Sequence, residues 1–316
     1  MKKILIFTPS YNQNSGGIVV LHYLCHLLNS LGFESYLVKS VETQLFDVKK
    51  PIISIFRIIR EYYRYITKLK TNKSFNTPVL NIRKLNLDDF IVVYYEQVLG
   101  NPLKAKNVMR YMLHYPGYHT GVAFFGFNEY HVLWEKVTNV MDFPHCERQK
   151  LPMKVTYMLD DLYNKNNSLN VNERKIDCYM VRKGVGKTFI HNKDCINLDG
   201  LAHTDIANIF KKAKYFYSYD EYTMYTRFAA MCGCIPIVVP DDPAKSKLNW
   251  NLSRFMTYGI AYGNSEDEIN RAKNEIESIE RLIEDEKKVI KNNIKTSFKA
   301  ADIFFEKDDK YENFRQ

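Results

Sequence analysis

Residues 182–190 read RKGVGKTFI, and the inner GVGKT is the end of a phosphate-binding P-loop. A P-loop wraps phosphates in backbone N–H groups, and it needs a further glycine at the position that Val181 occupies here. It also lies between a strand and a helix, whereas the polar run at 191–194 is typical of a loop. A P-loop kinase or NTPase is therefore only an alternative interpretation. The segment still supplies three cations after a predicted strand: Arg182, Lys183 and Lys187.

A second stretch that could bind a ligand is Ser15-Gly16-Gly17, which lies where a helix is predicted to begin. Backbone N–H groups at a helix N-terminus favour an anion or a sugar hydroxyl. The spacing differs from the GxGxxG of dinucleotide-binding loops. An equally supported interpretation is that the two glycines serve only to form a tight turn before the helix.

The elements that would position these residues alternate between short apolar strands and helices. In the first half, the pattern predicts strands at 3–8, 34–38, 90–96, 122–127, 130–134 and 153–158, and helices at 18–31 and 105–113. In the second half it predicts strands at 178–182, 215–219 and 235–239, helices at 204–213 and 223–232, and a helical tail at 266–301. This order indicates two Rossmann-like, doubly wound α/β domains that face a cleft. We expect a first domain over 1–170 and a second over 171–316.

The composition fits this organisation and excludes several classes of protein. A chain of 316 residues exceeds the usual single core. No stretch reaches about 20 apolar residues, and the N-terminal segment becomes polar too early for a signal peptide, so we expect a cytoplasmic protein. The six cysteines form no CxxC pair and no zinc-type spacing, which predicts reduced thiols and no metal site.

The net charge of +9 is concentrated in one segment. Between Lys49 and Lys73 the sequence has eight Lys or Arg residues and one Glu. Apolar residues at three- and four-residue spacing predict a basic amphipathic helix over 52–70. Three interpretations remain open: a helix packed on its own domain, a helix on an anionic membrane surface, or a nucleic-acid contact. No nucleic-acid motif accompanies the charges, so no nucleic-acid partner is expected.

The stretch at 213–241, AKYFYSYDEYTMYTRFAAMCGCIPIVVPD, resembles the donor-binding half of GT-B glycosyltransferases in the neighbourhood of family 4. Ser15-Gly16-Gly17 is similar to the N-terminal glycine loop of the same enzymes. The stretch from Gly100 to Gly117, which includes His114, resembles bacterial sugar transferases of surface-polysaccharide clusters. The resemblance implies a GT-B fold and a nucleotide-diphosphate sugar as donor.

The resemblance also implies roles for single residues. Family 4 enzymes carry two glutamates seven residues apart, and alignment on Cys232-Gly233 places Asp220 at the first position and Phe228 at the second. A shift by one residue places Glu221 and Ala229 there instead. The ribose-binding carboxylate is absent in both registers.

The leaving diphosphate needs positive charge as its own negative charge grows. No DxD sequence occurs in a sheet-edge context, so we expect a metal-independent reaction without a cofactor. Fixed cations would act instead, together with N–H groups at the start of the 223–232 helix. The expected donor-binding residues are Arg182, Lys183, Lys187, Glu221, Tyr222 and Thr223, with Asp220 near the transferred sugar. For Thr223, a plain helix N-terminal residue beside a capping Asp220 is the alternative.

An inverting reaction would need a base for the acceptor hydroxyl. Glu96, at the end of a predicted strand, is the first candidate, and His22, His114 and His119 are weaker ones. We therefore expect a glycosyltransferase that extends a glycan or a lipid-linked acceptor in bacterial surface-polysaccharide synthesis, in the cytoplasm or at the inner face of the membrane. A non-catalytic sugar- or nucleotide-binding α/β protein remains the main alternative.

Overall fold

The computed structural model describes residues 1–40, 48–81, 85–135, 143, 145–240 and 257–313. The chain divides into two compact units. The first unit consists of 1–157 together with 289–316, and the second consists of 158–288. The predicted division into 1–170 and 171–316 differs from these units at two places: the boundary between the units lies earlier, and the last part of the chain is grouped with the first unit.

The first unit has a six-stranded, wholly parallel sheet in the order β2-β1-β3-β4-β5-β6. Every residue of β3 and β4 is buried, as expected for a parallel sheet covered on both faces. Since β1 has β2 on one side and β3 on the other, the winding direction changes between β1 and β3. The strands are β1 Lys3–Thr8, β2 Ser35–Lys39, β3 Phe90–Tyr95, β4 Asn107–Met112, β5 Tyr130–Leu133 and β6 Glu147–Arg148.

The second unit has a five-stranded parallel sheet in the order β11-β10-β9-β7-β8. Here the winding direction changes between β7 and β9. The strands are β7 Ile176–Met180, β8 Ile196–Asn197, β9 Ala213–Ser218, β10 Ile235–Val238 and β11 Ala261–Tyr262. The expected fold class, two α/β domains with parallel sheets, is confirmed.

Six α-helices accompany the two sheets in the described part of the chain. They are α1 Gly16–Ser30, α2 Pro51–Ile66, α3 His203–Phe210, α4 Met224–Met231, α5 Glu266–Ile276 and α6 Ile279–Asn313. Among the described residues, none of the helices is both long and apolar enough to cross a bilayer.

The helix predicted at 105–113 is wrong, because these residues form β4. Its central Arg110 is fully buried and bonds to Glu129 through Nε and Nη2, at 2.9 and 2.6 Å. In the sequence, this buried and paired arginine has the pattern of a residue on the solvent face of a helix, which is why a helix is predicted there. The predicted strands at 122–127 and 153–158 are also wrong, since neither range contains a regular strand.

Candidate functional site

The predicted donor-binding residues of the second unit follow two adjacent strands. The carboxyl ends of parallel strands lie at one edge of a sheet, so Arg182, after β7, and Asp220, after β9, emerge side by side. This is the point where the winding direction of the sheet changes, and ligands of open α/β sheets bind at such points. We call this group of residues the cationic edge; it consists of Arg182, Lys187, Asp220, Glu221 and Thr223.

Arg182 has an unusual backbone conformation that a neighbouring carboxylate holds. Its φ angle is 44°, in the left-handed region that a residue with a side chain seldom adopts. The Asp199 carboxylate accepts hydrogen bonds from the N–H groups of Val181 and Arg182, at 2.8 and 3.3 Å. Strain of this kind persists where surrounding bonds enforce it, and it is frequent at ligand sites.

The Arg182 side chain stands between a carboxylate and an aromatic ring. Its Nε lies 3.8 Å from Oδ2 of Asp220, and its guanidinium carbon lies 5.2 Å from the ring centre of Tyr225. The side chain of Arg182 is 41% exposed. A separation of 3.8 Å is long for a charge-assisted bond, so the guanidinium can exchange Asp220 for a ligand anion without losing a close contact.

Lys187 reaches the same edge by a different route. Its Nζ donates to the carbonyl oxygen of Val239, after β10, at 2.6 Å and lies 3.9 Å from Oε1 of Glu221. Lys183, in contrast, is exposed, and Tyr222 is also exposed. Arg182 and Lys187 therefore lie near the carboxylates of Asp220 and Glu221, whereas Lys183 is exposed to solvent.

The first glycine of GVGKT has a structural explanation. A methyl group on Gly184 would lie 2.1 Å from the carbonyl oxygen of Tyr219, so no larger residue fits. The segment after Lys187 is irregular, and the next helix, α3, begins only at His203. The strand-to-helix setting of a P-loop is absent, which agrees with the interpretation of GVGKT made from the sequence.

Thr223 caps α4, at the cationic edge. Its Oγ1 accepts from the N–H group of Tyr225 at 3.3 Å, and the side chain is buried. Asp220 instead closes the preceding turn, because its Oδ1 accepts from the N–H group of Tyr222 at 3.1 Å. The cap is therefore Thr223 and not Asp220, and the positive end of the α4 dipole lies next to the two cations.

The position expected for a ribose carboxylate lies in the core. Phe228 is 4% exposed and stacks on Tyr163, with ring centres 4.3 Å apart and an angle of 3° between the planes. Ala229 is also fully buried. Neither register of the family 4 pattern thus places a polar group at this point of α4.

In the first unit, Glu96 follows β3 at the corresponding switch point between β1 and β3. It is 2% exposed, and its Oε2 accepts from the N–H group of Leu113 at 3.0 Å. Its Oε1 accepts from Nε2 of Gln97 at 3.4 Å. Burial raises the pKa of Glu96, and the bonds from neighbouring N–H groups only partly oppose this effect. A buried carboxyl with a raised pKa at a sheet edge is suited to proton transfer.

The glycine loop lies beside the same edge. Ser15 precedes α1 as its N-cap without a side-chain cap bond, and a methyl group on Gly17 would lie 3.4 Å from Cδ1 of Leu113, the residue that donates to Glu96. A methyl group on Gly16 would meet no atom of the described chain within 4 Å. The predicted loop and the predicted base thus lie at one edge of the first sheet.

The three weaker histidine candidates differ in their surroundings. His114 packs in a ring cluster with Tyr118 and His119, at centre distances of 4.4 and 5.1 Å, directly after β4. His22 is buried on α1, and its Nε2 is 2.9 Å from the carbonyl oxygen of Pro9. Burial lowers the pKa of His22, which suits a structural residue. His114 directly follows Leu113, whose N–H group donates to Glu96, so His114 and its neighbour His119 stay accessory candidates.

Two residues that contact the cationic edge were missed from the sequence. Asp199 lies far from Arg182 in the chain and reaches it only because β8 pairs with β7. Tyr225 belongs to the first turn of α4, where an aromatic residue gives no signal of its own. Within the described ranges, no group of three or more His, Cys, Asp or Glu side chains is arranged to hold a metal ion.

No protein-family model and no curated protein matches the sequence. Among solved structures, the chain is similar to T4 phage BGT in complex with UDP-glucose, with 10% identity, a TM-score of 0.41, and coverage of 98% of this chain and 99% of that one. It is also similar to an α-glucosyltransferase in complex with UDP and a 13-mer DNA, with 12% identity, a TM-score of 0.40, and coverage of 96% and 95%. A spinosyn forosaminyltransferase gives 10% identity, a TM-score of 0.31, and coverage of 94% and 96%.

Proposed function

We propose that this chain is a GT-B glycosyltransferase that moves a sugar from a nucleotide-diphosphate donor to a glycan or lipid-linked acceptor in bacterial surface-polysaccharide synthesis. The observation that carries the proposal is the cationic edge. There, two cations and a helix N-terminus meet at the switch point of a parallel sheet. This is a chemical environment for a diphosphate.

The donor half of the reaction follows from the charges at this edge. Arg182 and Lys187 would neutralise the leaving diphosphate, and the N–H groups of the first turn of α4 would bind its oxygens. Their present carboxylate partners are 3.8 and 3.9 Å away, so a diphosphate can take the place of either. Asp220 and Glu221 then become available as acceptors for sugar hydroxyls. In this proposal the fixed charges take the place of a metal ion in stabilising the leaving group, so the reaction would be independent of a metal ion.

The acceptor half is assigned to the first unit. In an inverting reaction, Glu96 would take the proton of the acceptor hydroxyl while that oxygen attacks the anomeric carbon and the nucleoside diphosphate leaves. The glycine loop Ser15–Gly17 would offer N–H groups to the acceptor, and His114 would line its approach. The carboxylate of Glu96 must be ionised for this step.

A binding experiment with the purified protein tests the donor assignment. A thermal-shift screen against UDP, GDP, CMP, dTDP, ADP and ATP, each with and without Mg²⁺, identifies the nucleotide, since a ligand of the folded state raises Tm. We expect a metal-independent shift with one sugar-carrier nucleotide. A shift that needs both ATP and Mg²⁺ would restore the kinase or NTPase alternative.

A matched pair of variants then tests the residues. Arg182→Ala removes a charge-assisted contact worth about 1.5–3 kcal/mol, so affinity for the nucleotide should fall roughly 10- to 150-fold in titration calorimetry. Lys193→Ala removes an exposed positive charge from the same connection and should leave the affinity unchanged. Equal affinities for both variants would place the donor elsewhere. Donor binding without any sugar transfer or donor hydrolysis would favour the non-catalytic alternative.

A further inference from the structure

In the helix α2, Ser54 is buried, at 2% exposure, whereas apolar side chains are exposed to the solvent. The exposed apolar side chains include Ile52, Ile55, Phe56, Ile59 and Tyr62, at 69, 50, 68, 46 and 64%. Residues at three- and four-residue spacing share one face of a helix, so this is a continuous apolar stripe. The side chains of this stripe that the structure describes are exposed, which favours a surface contact over a helix packed on its own domain.

Exposed basic residues flank this stripe. Lys49 and Lys50 precede the helix, Arg57 and Arg60 lie beside the stripe, and Lys68 follows the helix; all five are exposed. The segment from 49 to 73 carries eight Lys or Arg residues against one Glu. A helix with an apolar face, a basic border and only 16 residues is too short to span a bilayer but suited to lie in its headgroup region.

We propose that α2 docks the first unit on an anionic lipid bilayer. Phe56, Ile55 and Ile59 would enter the boundary between headgroups and acyl chains, and the basic residues would contact anionic headgroups. Duplex DNA fits less well, because it would contact the arginines and leave the apolar stripe in water. A bilayer removes the stripe from water and compensates the charge at the same time.

The end of α2 is joined to the edge of the sheet that carries the acceptor residues. The Nζ of Lys39, at the end of β2, donates to the carbonyl oxygen of Thr67 at 2.6 Å. In the loop after β1, the Tyr11 N–H group donates to the carbonyl oxygen of Lys70 at 2.8 Å, and the Ser10 hydroxyl accepts from the Lys70 N–H group at 3.2 Å. This loop leads directly to Ser15–Gly17.

Docking through α2 would therefore hold the carboxyl edge of the first sheet close to the headgroups. On the basis of the proposed function, this selects a lipid-linked acceptor over a free glycan. The docking itself needs no transferase activity, so it can be tested separately.

Vesicle flotation with the full chain tests the docking. One set of vesicles is pure phosphatidylcholine, and the other contains phosphatidylglycerol as well; both are used at low and at physiological salt. We expect the protein to float with the anionic vesicles only, and more completely at low salt. Phe56→Glu/Ile59→Glu and Arg57→Glu/Arg60→Glu should each lower the bound fraction at least about tenfold.

Two matched controls distinguish the α2 surface from general effects. Val289→Glu/Ile303→Glu introduces the same two negative charges as Phe56→Glu/Ile59→Glu, at apolar residues of the first unit that are 49% and 55% exposed. Lys295→Glu/Lys299→Glu makes the same charge change as the double arginine variant, at exposed positions of the same unit. Both controls should float like the unaltered protein. Circular dichroism melts check that every variant is folded.

Several results would overturn the proposal. These are failure of the folded protein to float with anionic vesicles, flotation that survives both α2 variants, and an equal loss in the controls. Binding of a duplex DNA oligonucleotide in place of vesicles would assign the surface to nucleic acid. A dimer that dissociates in Phe56→Glu/Ile59→Glu, without vesicle binding, would assign it to a second copy of this chain. Nucleotide binding is measured in parallel, so that loss of docking with intact donor binding refutes only the docking.

Discussion

The burial of Glu96 has opposite consequences for stability and for catalysis. It is buried, and burial raises the pKa of its carboxyl group. A carboxyl with a raised pKa in the folded protein destabilises the fold as the pH rises above the unfolded value, because the folded state resists losing the proton. The same shift makes the ionised form a stronger base.

The rate of transfer should therefore depend on pH in a way that reports Glu96. Because the base must be ionised, activity is lost as the pH falls through its pKa. The acidic limb of kcat/KM should lie above the range of an ordinary glutamate, about 4.3. Glu96→Gln should remove this limb and lower kcat about 10²- to 10⁴-fold, as expected for loss of a general base. Profiles of kcat/KM against pH for both proteins provide the measurement.

If Glu96 is the base, Glu96→Gln should slow transfer without destabilising the fold. Replacing a buried carboxyl by a neutral amide should keep or raise the free energy of unfolding at pH 7, measured in urea. A residue with a structural role would lower that free energy when replaced. Glu135→Gln, which alters a carboxylate that pairs with Lys154 in the same unit, should leave the profile unchanged. An unchanged acidic limb in Glu96→Gln would exclude this residue as the base.

Gly184 and Gly186 are two glycines of one loop with different reasons for being glycine. A methyl group on Gly184 would collide with the backbone oxygen of Tyr219, which cannot move aside easily, whereas Gly186 has φ 95° and open space around it. Gly184→Ala should therefore destabilise by about 1–3 kcal/mol or more and weaken nucleotide binding, since it displaces the chain next to Arg182. Gly186→Ala should cost only the left-handed strain of about 1–2 kcal/mol. Urea unfolding and nucleotide titration of both variants separate the two effects, and equal losses of affinity would contradict this account.

At the scale of the element, α4 shows how a helix can both stabilise the fold and take part in binding. Thr223 caps α4 at the cationic edge, while Ser265 caps α5 in the same unit by accepting from the Glu268 N–H group. Thr223→Ala and Ser265→Ala should each destabilise by about 1 kcal/mol. Only Thr223→Ala should also lower the affinity for the nucleotide, because only that helix begins beside Arg182 and Lys187. Equal affinities in calorimetry would reduce α4 to a structural element.

Whether an element could be predicted from the sequence depends on whether its buried side chains are apolar. The strands β1 and β3 were predicted closely from their sequence, since their apolar runs are bounded by polar residues. The strand β4 was missed because Asn107 and Arg110 are polar but buried: Asn107 bonds to the carbonyl oxygens of Asp88 and Phe90, and Arg110 bonds to Glu129. Hydrophobic periodicity assigns apolar residues to the core and polar residues to the solvent side. It cannot recognise a buried polar side chain whose hydrogen-bond partners come from other segments.

The same limit applies to the site. The residues that follow strands, such as Arg182, Asp220 and Glu96, could be proposed because the end of a parallel strand is a defined place in the fold. Asp199 could not, since its role depends on the pairing of β8 with β7. Lys183 was proposed with Arg182, but its side chain is exposed.

At the scale of the whole molecule, the last helix belongs to two units. Its residues up to Lys288 are grouped with the second unit, and those from Val289 with the first. Sequence order alone predicts that a C-terminal helix completes the preceding domain, which is why the predicted division into 1–170 and 171–316 assigns the whole helix to the second domain. The later part contributes large apolar side chains that are buried: Ile290, Ile294, Phe298 and Phe305.

A mutation late in α6 should consequently damage the first unit and spare the second. Phe298 is fully buried, with its ring centre 6.2 Å from that of Phe33, next to α1. Phe298→Ala should cost about 3–5 kcal/mol through lost burial and the cavity left behind. Hydrogen exchange should then rise in β2 and β5 of the first unit, while β9 and β10 keep the protection of the unaltered protein. Ile303→Ala, at an exposed site of the same helix, should change neither region. Faster exchange in β9 and β10 of the Phe298 variant would show that the last part of α6 supports the second unit instead, as the sequence predicts for the C-terminal helix.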